Sequence, residues 1–215
     1  GINLYAHAPA AVIPPTELQP VHTLINHPQY ATIYPPMAQL IFAGGAVLGT
    51  ITGFKAVMVL FDLVLCWLLI TLLRQLEMPV WRSVLYAWNP PPIIEIAGSG
   101  HVDGAGLSLL LGGLCLLMME SKKCTGISLR RWPFFLAGIL LTGGGLVKLF
   151  PLILSPIVYL LVPKPRRIHF AVGLLSALAM LLVSFLPHLP NILVSLKVYA
   201  FNWNSQVLPS QHSAL

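Results

Sequence analysis

Charge is what this sequence has least of: of its 215 residues, 8% are Asp, Glu, Lys or Arg, against 57% hydrophobic. A soluble globular chain carries about a quarter charged residues. So few charges cannot solvate the surface of a compact domain of this size, which excludes an ordinary cytosolic enzyme. Disorder is excluded too, because it needs low hydrophobicity and high charge. Cysteine is limited to Cys66, Cys115 and Cys124. The first two lie inside apolar runs and read as small core residues. No CxxC or Cys/His spacing points to zinc, so no metal ligands are assigned. What remains is an all-α, polytopic transmembrane helical bundle.

Acids are scarcer than bases, six against twelve, for a net charge of +6. The excess invites a nucleic-acid reading, which the positions of the charges exclude. Nine of the twelve basic residues fall in three clusters: Arg74 with Arg82; Lys122, Lys123, Arg130 and Arg131; Lys164, Arg166 and Arg167. Each cluster lies between apolar runs, the pattern of cytoplasmic loops under the positive-inside rule. A nucleic-acid binder needs a broad basic face instead. The partner implied is the lipid bilayer.

Residues 1–36 hold seven prolines, three histidines and no Lys or Arg, and read as an ordered loop too polar to cross a bilayer. The apolar stretch 37–52 would make a helix of about 24 Å, short of a ~30 Å hydrocarbon core; it spans a thinned bilayer or lies at the interface. Residues 54–73 read as a span containing Asp62. Residues 83–97 are apolar but broken by Pro90, Pro91 and Pro92, 98–104 read as a turn, and 105–119 as a further apolar run. Residues 132–150 and 151–162 form an apolar pair split at Pro151, and 168–186 a clean span. The expected divisions are an external loop and juxtamembrane helix over 1–53, about six transmembrane helices over 54–187, several short or broken, and a polar external segment over 188–215. If the three basic loops share the cytoplasmic side, an even number of crossings separates them. The turn around His101 and Asp103 then lies outside, and Asp62 in the outer half of its helix.

The polar residues of that face are the candidates for chemistry, since polar groups are costly near lipid. Glu95, His101 and Asp103 could serve as general base, cation ligands or hydroxyl acceptors, or Asp103 could simply cap the helix beginning at Gly104. Glu95, after three prolines, could bond backbone that they free. Asp62 is a functional candidate by position, or the partner of Lys55 or Asn89. Lys148, after Gly143-Gly-Gly145, could neutralise a lipid phosphate or snorkel to the headgroups. Tyr34-Pro-Pro36 and Trp88-Asn89-Pro90 pair an aromatic with a proline, as interface anchors do at a helix entry or break. Glu17 is a weaker candidate in the first loop.

The order Tyr34-Pro-Pro-Met-Ala-Gln39, Ala87-Trp-Asn-Pro90, Gly98-Ser-Gly-His-Val-Asp103 and Val147-Lys-Leu-Phe-Pro151 resembles polytopic glycosyltransferases of the GT-C superfold, and most of all the bacterial and archaeal mannosyltransferase-like members that use polyprenyl-phosphate sugars. Gly1-Ile-Asn-Leu-Tyr5 is similar to the "G-x-N-P-Y" stretch of their first external loop, with Leu4 in place of Pro, and Asn202-Trp-Asn-Ser205 resembles a later one. The resemblance implies that 37–52 lies at the interface. It implies hexosyl or mannosyl transfer from a polyprenyl-phosphate sugar to a glycan or lipid acceptor, on the extracytoplasmic face of a prokaryotic plasma membrane. No tightly bound cofactor is implied, and a divalent cation stays open. Asp103 and His101 would take catalytic roles; Tyr34, Asp62, Asn89, Glu95 and Lys148 would bind substrate. The family's usual catalytic acid would precede Gly1. With no initial Met, the chain reads as a fragment lacking its first span, that acid and its C-terminal spans, inactive as it stands. Broken helices and intramembrane acids also fit a transporter or lipid flippase, but no internal repeat is visible and the polar groups gather on one face rather than at the midplane. A purely structural membrane subunit would leave that constellation unused.

Overall fold

The computed structural model describes residues 3–201, apart from 24, 26, 123–129 and 184. The regular elements among the described residues are all helical, so the fold is all-α. Two compact units divide the chain: Tyr34–Leu182, and the two ends, Gly1–Ile33 with Val183–Leu215.

The larger unit begins with α1 (Pro36–Ala46), entered through Pro35 and Pro36. Proline suits a first helical turn because its φ is preset and no N–H is lost there. The N–H groups of Met37 and Ala38 donate to the Leu146 carbonyl, at 3.1 and 3.3 Å, so donors left over at a helix start are satisfied across the fold. With 11 residues, α1 is shorter than the 37–52 stretch and too short to cross a bilayer. Gly49, at φ +68°, ends the stretch, and Thr50 starts α2 (Ile51–Gln75) by accepting from the Gly53 N–H at 2.8 Å. At 25 residues, α2 is about 37 Å long. Its Leu60, Leu63 and Trp67 are more than half exposed, as lipid-facing side chains are.

The chain then returns along α2 in short pieces, reaching Asp62 at Tyr86 and Lys55 at Gly98. Next come α3 (Asp103–Lys122), α4 (Trp132–Gly145), a turn at Phe150–Ile153, α5 (Ser155–Leu161) and α6 (Arg167–Leu182). Close approaches fix their directions. Gly104 faces Asp62, and Cys115 Sγ donates to the Leu68 carbonyl, so α3 runs parallel to α2. Gly106 faces Gly144 and Gly113 faces Ala137, so α4 runs the opposite way. Arg131 and Trp132 lie beside Ile168 and His169, so α6 starts next to the start of α4. Thr142, fully buried, donates to the Leu174 carbonyl at 3.1 Å.

This arrangement puts Arg74, Arg130, Arg131, Lys164, Arg166 and Arg167 at helix ends on one side of the unit. The start of α3, the start of α2 and the end of α4 meet at the other. Two buried clusters separate the ends: Ala38, Ile41, Met58, Ile96, Val102, Ala105 and Val147 under the polar end, and Leu110, Phe134, Ala137, Leu141, Val158, Val162 and Phe170 toward the basic end. Ile51–Gln75, Asp103–Glu120 and Lys164–Leu182 are long and apolar enough to cross a membrane.

In the smaller unit, the ring of Tyr5 is buried against Phe185, edge to face at 5.3 Å, and stacks on His188. Asn191 donates to the Tyr5 carbonyl at 3.3 Å. Burial pushes the Tyr5 hydroxyl up to about 12. The segment from 188, read from sequence as a polar loop, carries α7 (Leu189–Phe201). Pro190 falls in its first turn, where proline is tolerated, and Ile192 and Ser195 are buried one turn apart. Gly1, Ile2 and the 202–205 motif lie outside the described residues, as does the side chain of Glu17.

Candidate functional site

Asp103 is the first residue of α3 and Lys148 follows the end of α4. Carboxylates are favoured at a helix start and ammonium groups at a helix end, because each meets the opposite partial charge of the helix dipole. Antiparallel packing of α3 on α4 brings those two ends together, and Lys148 Nζ donates to Asp103 Oδ1. The side chains are 59% and 34% exposed. An ion pair that wet contributes less than about 1 kcal/mol to stability, so its consequence is placement: a cation is held at the mouth of the bundle by an acid that keeps further acceptor positions open to solvent.

The second pair depends on the three prolines. Pro90–Pro92 form a single helical turn and Ile93–Gly98 continue as a π-helix, a widened turn frequently found at functional sites. Gly100, at φ +77°, then reverses the chain. His101 folds back over this turn. Its N–H donates to the Glu95 carbonyl at 3.0 Å, and its Nδ1 lies 3.1 Å from the same carbonyl and 3.2 Å from Glu95 Oε2. Two acceptors at Nδ1 place the proton there, leaving Nε2 as the acceptor of the neutral ring. Lys55 Nζ donates to the Gly98 carbonyl at 2.5 Å and pins the end of the π-turn to the start of α2.

Tyr34 joins the same end through an aromatic ladder. Its ring meets Phe42 edge to face at 5.1 Å, and Phe42 lies 5.7 Å from Phe54. Asp62 takes neither partner expected from sequence. Tyr86, missed in the sequence reading, donates to Asp62 Oδ1 at 2.6 Å, while Lys55 is committed to Gly98. Asn89 is exposed and its side chain makes no capping bond to the proline turn. The structure therefore brings Asp103 to Lys148, Glu95 to His101 and Tyr34 to the start of α2, and leaves Asp62 about two turns along α2 from Lys55. An acid inside an apolar run, needing a donor, was the only signal for Tyr86. Tyr86→Phe should lower stability by about 2 kcal/mol, the scale of a hydrogen bond to a charged group, read as a drop in melting temperature in detergent; an unchanged melting temperature would show the bond to be dispensable. Among the described residues no three His, Cys, Asp or Glu side chains converge as a metal site.

The family model described as Glycosyltransferase family 87 matches residues 32–195, a range containing every residue of this constellation. No curated protein and no solved structure matches the chain.

Proposed function

The chain belongs to glycosyltransferase family 87, and from that premise we propose that it is an integral membrane transferase of the GT-C type, moving a hexosyl group from a polyprenyl-phosphate sugar to a glycan or lipid acceptor on the extracytoplasmic face of a prokaryotic plasma membrane. The observation that carries this reading is the pairing of Asp103 with Lys148 beside Glu95 and His101, at the end of the bundle opposite the basic clusters. Family membership favours it over a transporter.

The step is a displacement. The acceptor hydroxyl oxygen forms a bond to the anomeric carbon, the bond from that carbon to the phosphate oxygen breaks, and its electron pair leaves with the lipid phosphate. Lys148 supplies positive charge where the phosphate charge grows, which stabilises the transition state more than the ground state. His101, its Nδ1 proton directed to Glu95, offers Nε2 to the departing acceptor proton. Asp103 orients Lys148 and accepts from a sugar hydroxyl. Tyr34 and Asn89 border the donor, and Asp62, through Tyr86, holds the returning segment against α2.

The direct test gives membranes carrying the full-length protein a labelled polyprenyl-phosphate sugar and follows label into the acceptor fraction. Transfer should require the lipid carrier; equal transfer from a nucleotide sugar without it would overturn the donor assignment. Sidedness is tested separately. In a background without native cysteines, Ser99→Cys should react with an impermeant thiol reagent added to intact cells, and Arg82→Cys only after the cells are opened. The reverse pattern would invert the topology.

A further inference from the structure

The starts of α4 and α6 lie side by side at the basic end and enclose a groove of about 420 Å³, lined by Arg131, Trp132, Phe135, Ile168, His169 and Val172. Its chemistry is divided. Phe135, Ile168 and Val172 give it an apolar floor, and all three are at least a third exposed. Its rim holds a guanidinium, an imidazole and an indole, and no carboxylate. Arg167 is already committed: its Nε donates to the Val162 carbonyl at 3.0 Å and its Nη2 to the Leu160 carbonyl at 2.7 Å, closing the end of α5. The guanidinium of Arg131 has no hydrogen bond or ion pair among the described residues. His169 Nδ1 is buried without a hydrogen-bond partner among them, which is uncommon for a buried polar atom. The parallel starts of α4 and α6 also direct the positive ends of two helix dipoles at the same place.

We propose that this groove binds one anionic phospholipid from the leaflet at the basic end. Its phosphate sits between Arg131 and His169, and an acyl chain lies along Phe135, Ile168 and Val172. Charge complementarity selects the anionic headgroup, and the apolar floor, continuous with the lipid-facing side of both helices, selects a lipid over a free anion. Trp132 lies at headgroup level, where indoles collect. The site is at the far end of the bundle from Asp103 and Lys148, and stands independently of the sugar-transfer reading.

Trp132 makes the groove observable. The full-length protein is reconstituted in phosphatidylcholine vesicles containing equal mole fractions of either brominated phosphatidylglycerol or brominated phosphatidylcholine. The quenching that belongs to Trp132 is the part lost in Trp132→Phe. It should be half complete at about fivefold lower mole fraction of the anionic lipid, the preference expected of one basic residue near a charged headgroup. Arg131→Gln should abolish the preference and Arg130→Gln should leave it. Equal quenching by the two lipids overturns the proposal with the unaltered protein alone, so it does not depend on a variant folding. A preference that survives Arg131→Gln, or that Arg130→Gln removes equally, also overturns it.

Discussion

Lys148→Ala should lower sugar transfer by the full-length protein by about 10²–10³-fold, the loss typical of removing one group that stabilises transition-state charge. The measurement is the initial rate from a polyprenyl-phosphate donor at saturating donor concentration, with membrane insertion checked in parallel. Saturation matters: a residue that only gathers donor changes KM, while one that stabilises the leaving phosphate changes kcat. Lys148→Arg keeps the charge on a differently shaped donor and should recover part of the rate. Asp103→Asn should also reduce transfer, but less, since asparagine still offers Lys148 an oxygen. Because the two side chains form one pair, their effects should not add: Lys148→Ala with Asp103→Asn together should cost about as much as Lys148→Ala alone. Two additive losses would mean that the sugar contact of Asp103, rather than its hold on Lys148, is what transfer depends on. Unaltered transfer in both single variants would remove this pair from the site while leaving the family assignment untouched.

That pair shows what was legible in the sequence and what was not. Composition and the three basic clusters were sufficient for an all-α membrane fold, because lipid admits few alternatives and Lys and Arg avoid it. Asp103 and Lys148 each stood out, as charges next to apolar runs do. Their contact did not, because 45 residues separate them and it arises from how α3 packs on α4. Glu95 and His101 are only six residues apart, yet their meeting needs the π-turn after Pro92 and the reversal at Gly100, which no periodicity announces. Asp62 reads from sequence as an acid inside a span that needs a partner; it is half-buried and takes one. The partner lay on the returning segment, in short turns with no helical pattern to place Tyr86 on a face. α7 was hidden because Pro187, Pro190 and Asn191 read as loop residues until the start of the helix is known.

The largest effect on the fold is expected where the helices come closest. A Cβ on Gly138 would stand against the Phe170 carbonyl and 2.7 Å from the Leu174 nitrogen, and one on Gly173 against the Phe135 carbonyl. These neighbours are backbone, so no rotamer change relieves the clash; α4 and α6 must separate. Between membrane helices close packing is itself a main source of association, because lipid supplies no hydrophobic drive. Gly138→Ala and Gly173→Ala should therefore each destabilise the protein by about 3 kcal/mol, the upper range for overpacking, despite the roughly 1 kcal/mol that alanine gains over glycine in a helix. Separation would also stretch the Thr142 bond to Leu174. Gly44, in α1, is the control, since a Cβ there meets nothing within 4 Å; Gly44→Ala should leave the melting temperature in detergent unchanged or raise it. Gly143 lies between, its nearest neighbour being the flexible end of Met37 at 3.1 Å, and should tolerate alanine with a small loss. If Gly138→Ala and Gly44→Ala melt alike, the close contact of α4 with α6 is not what holds the bundle. If they differ as expected, Gly138→Ala should also reduce transfer, because Lys148 follows the far end of α4 and a shift of that helix disturbs its pairing with Asp103.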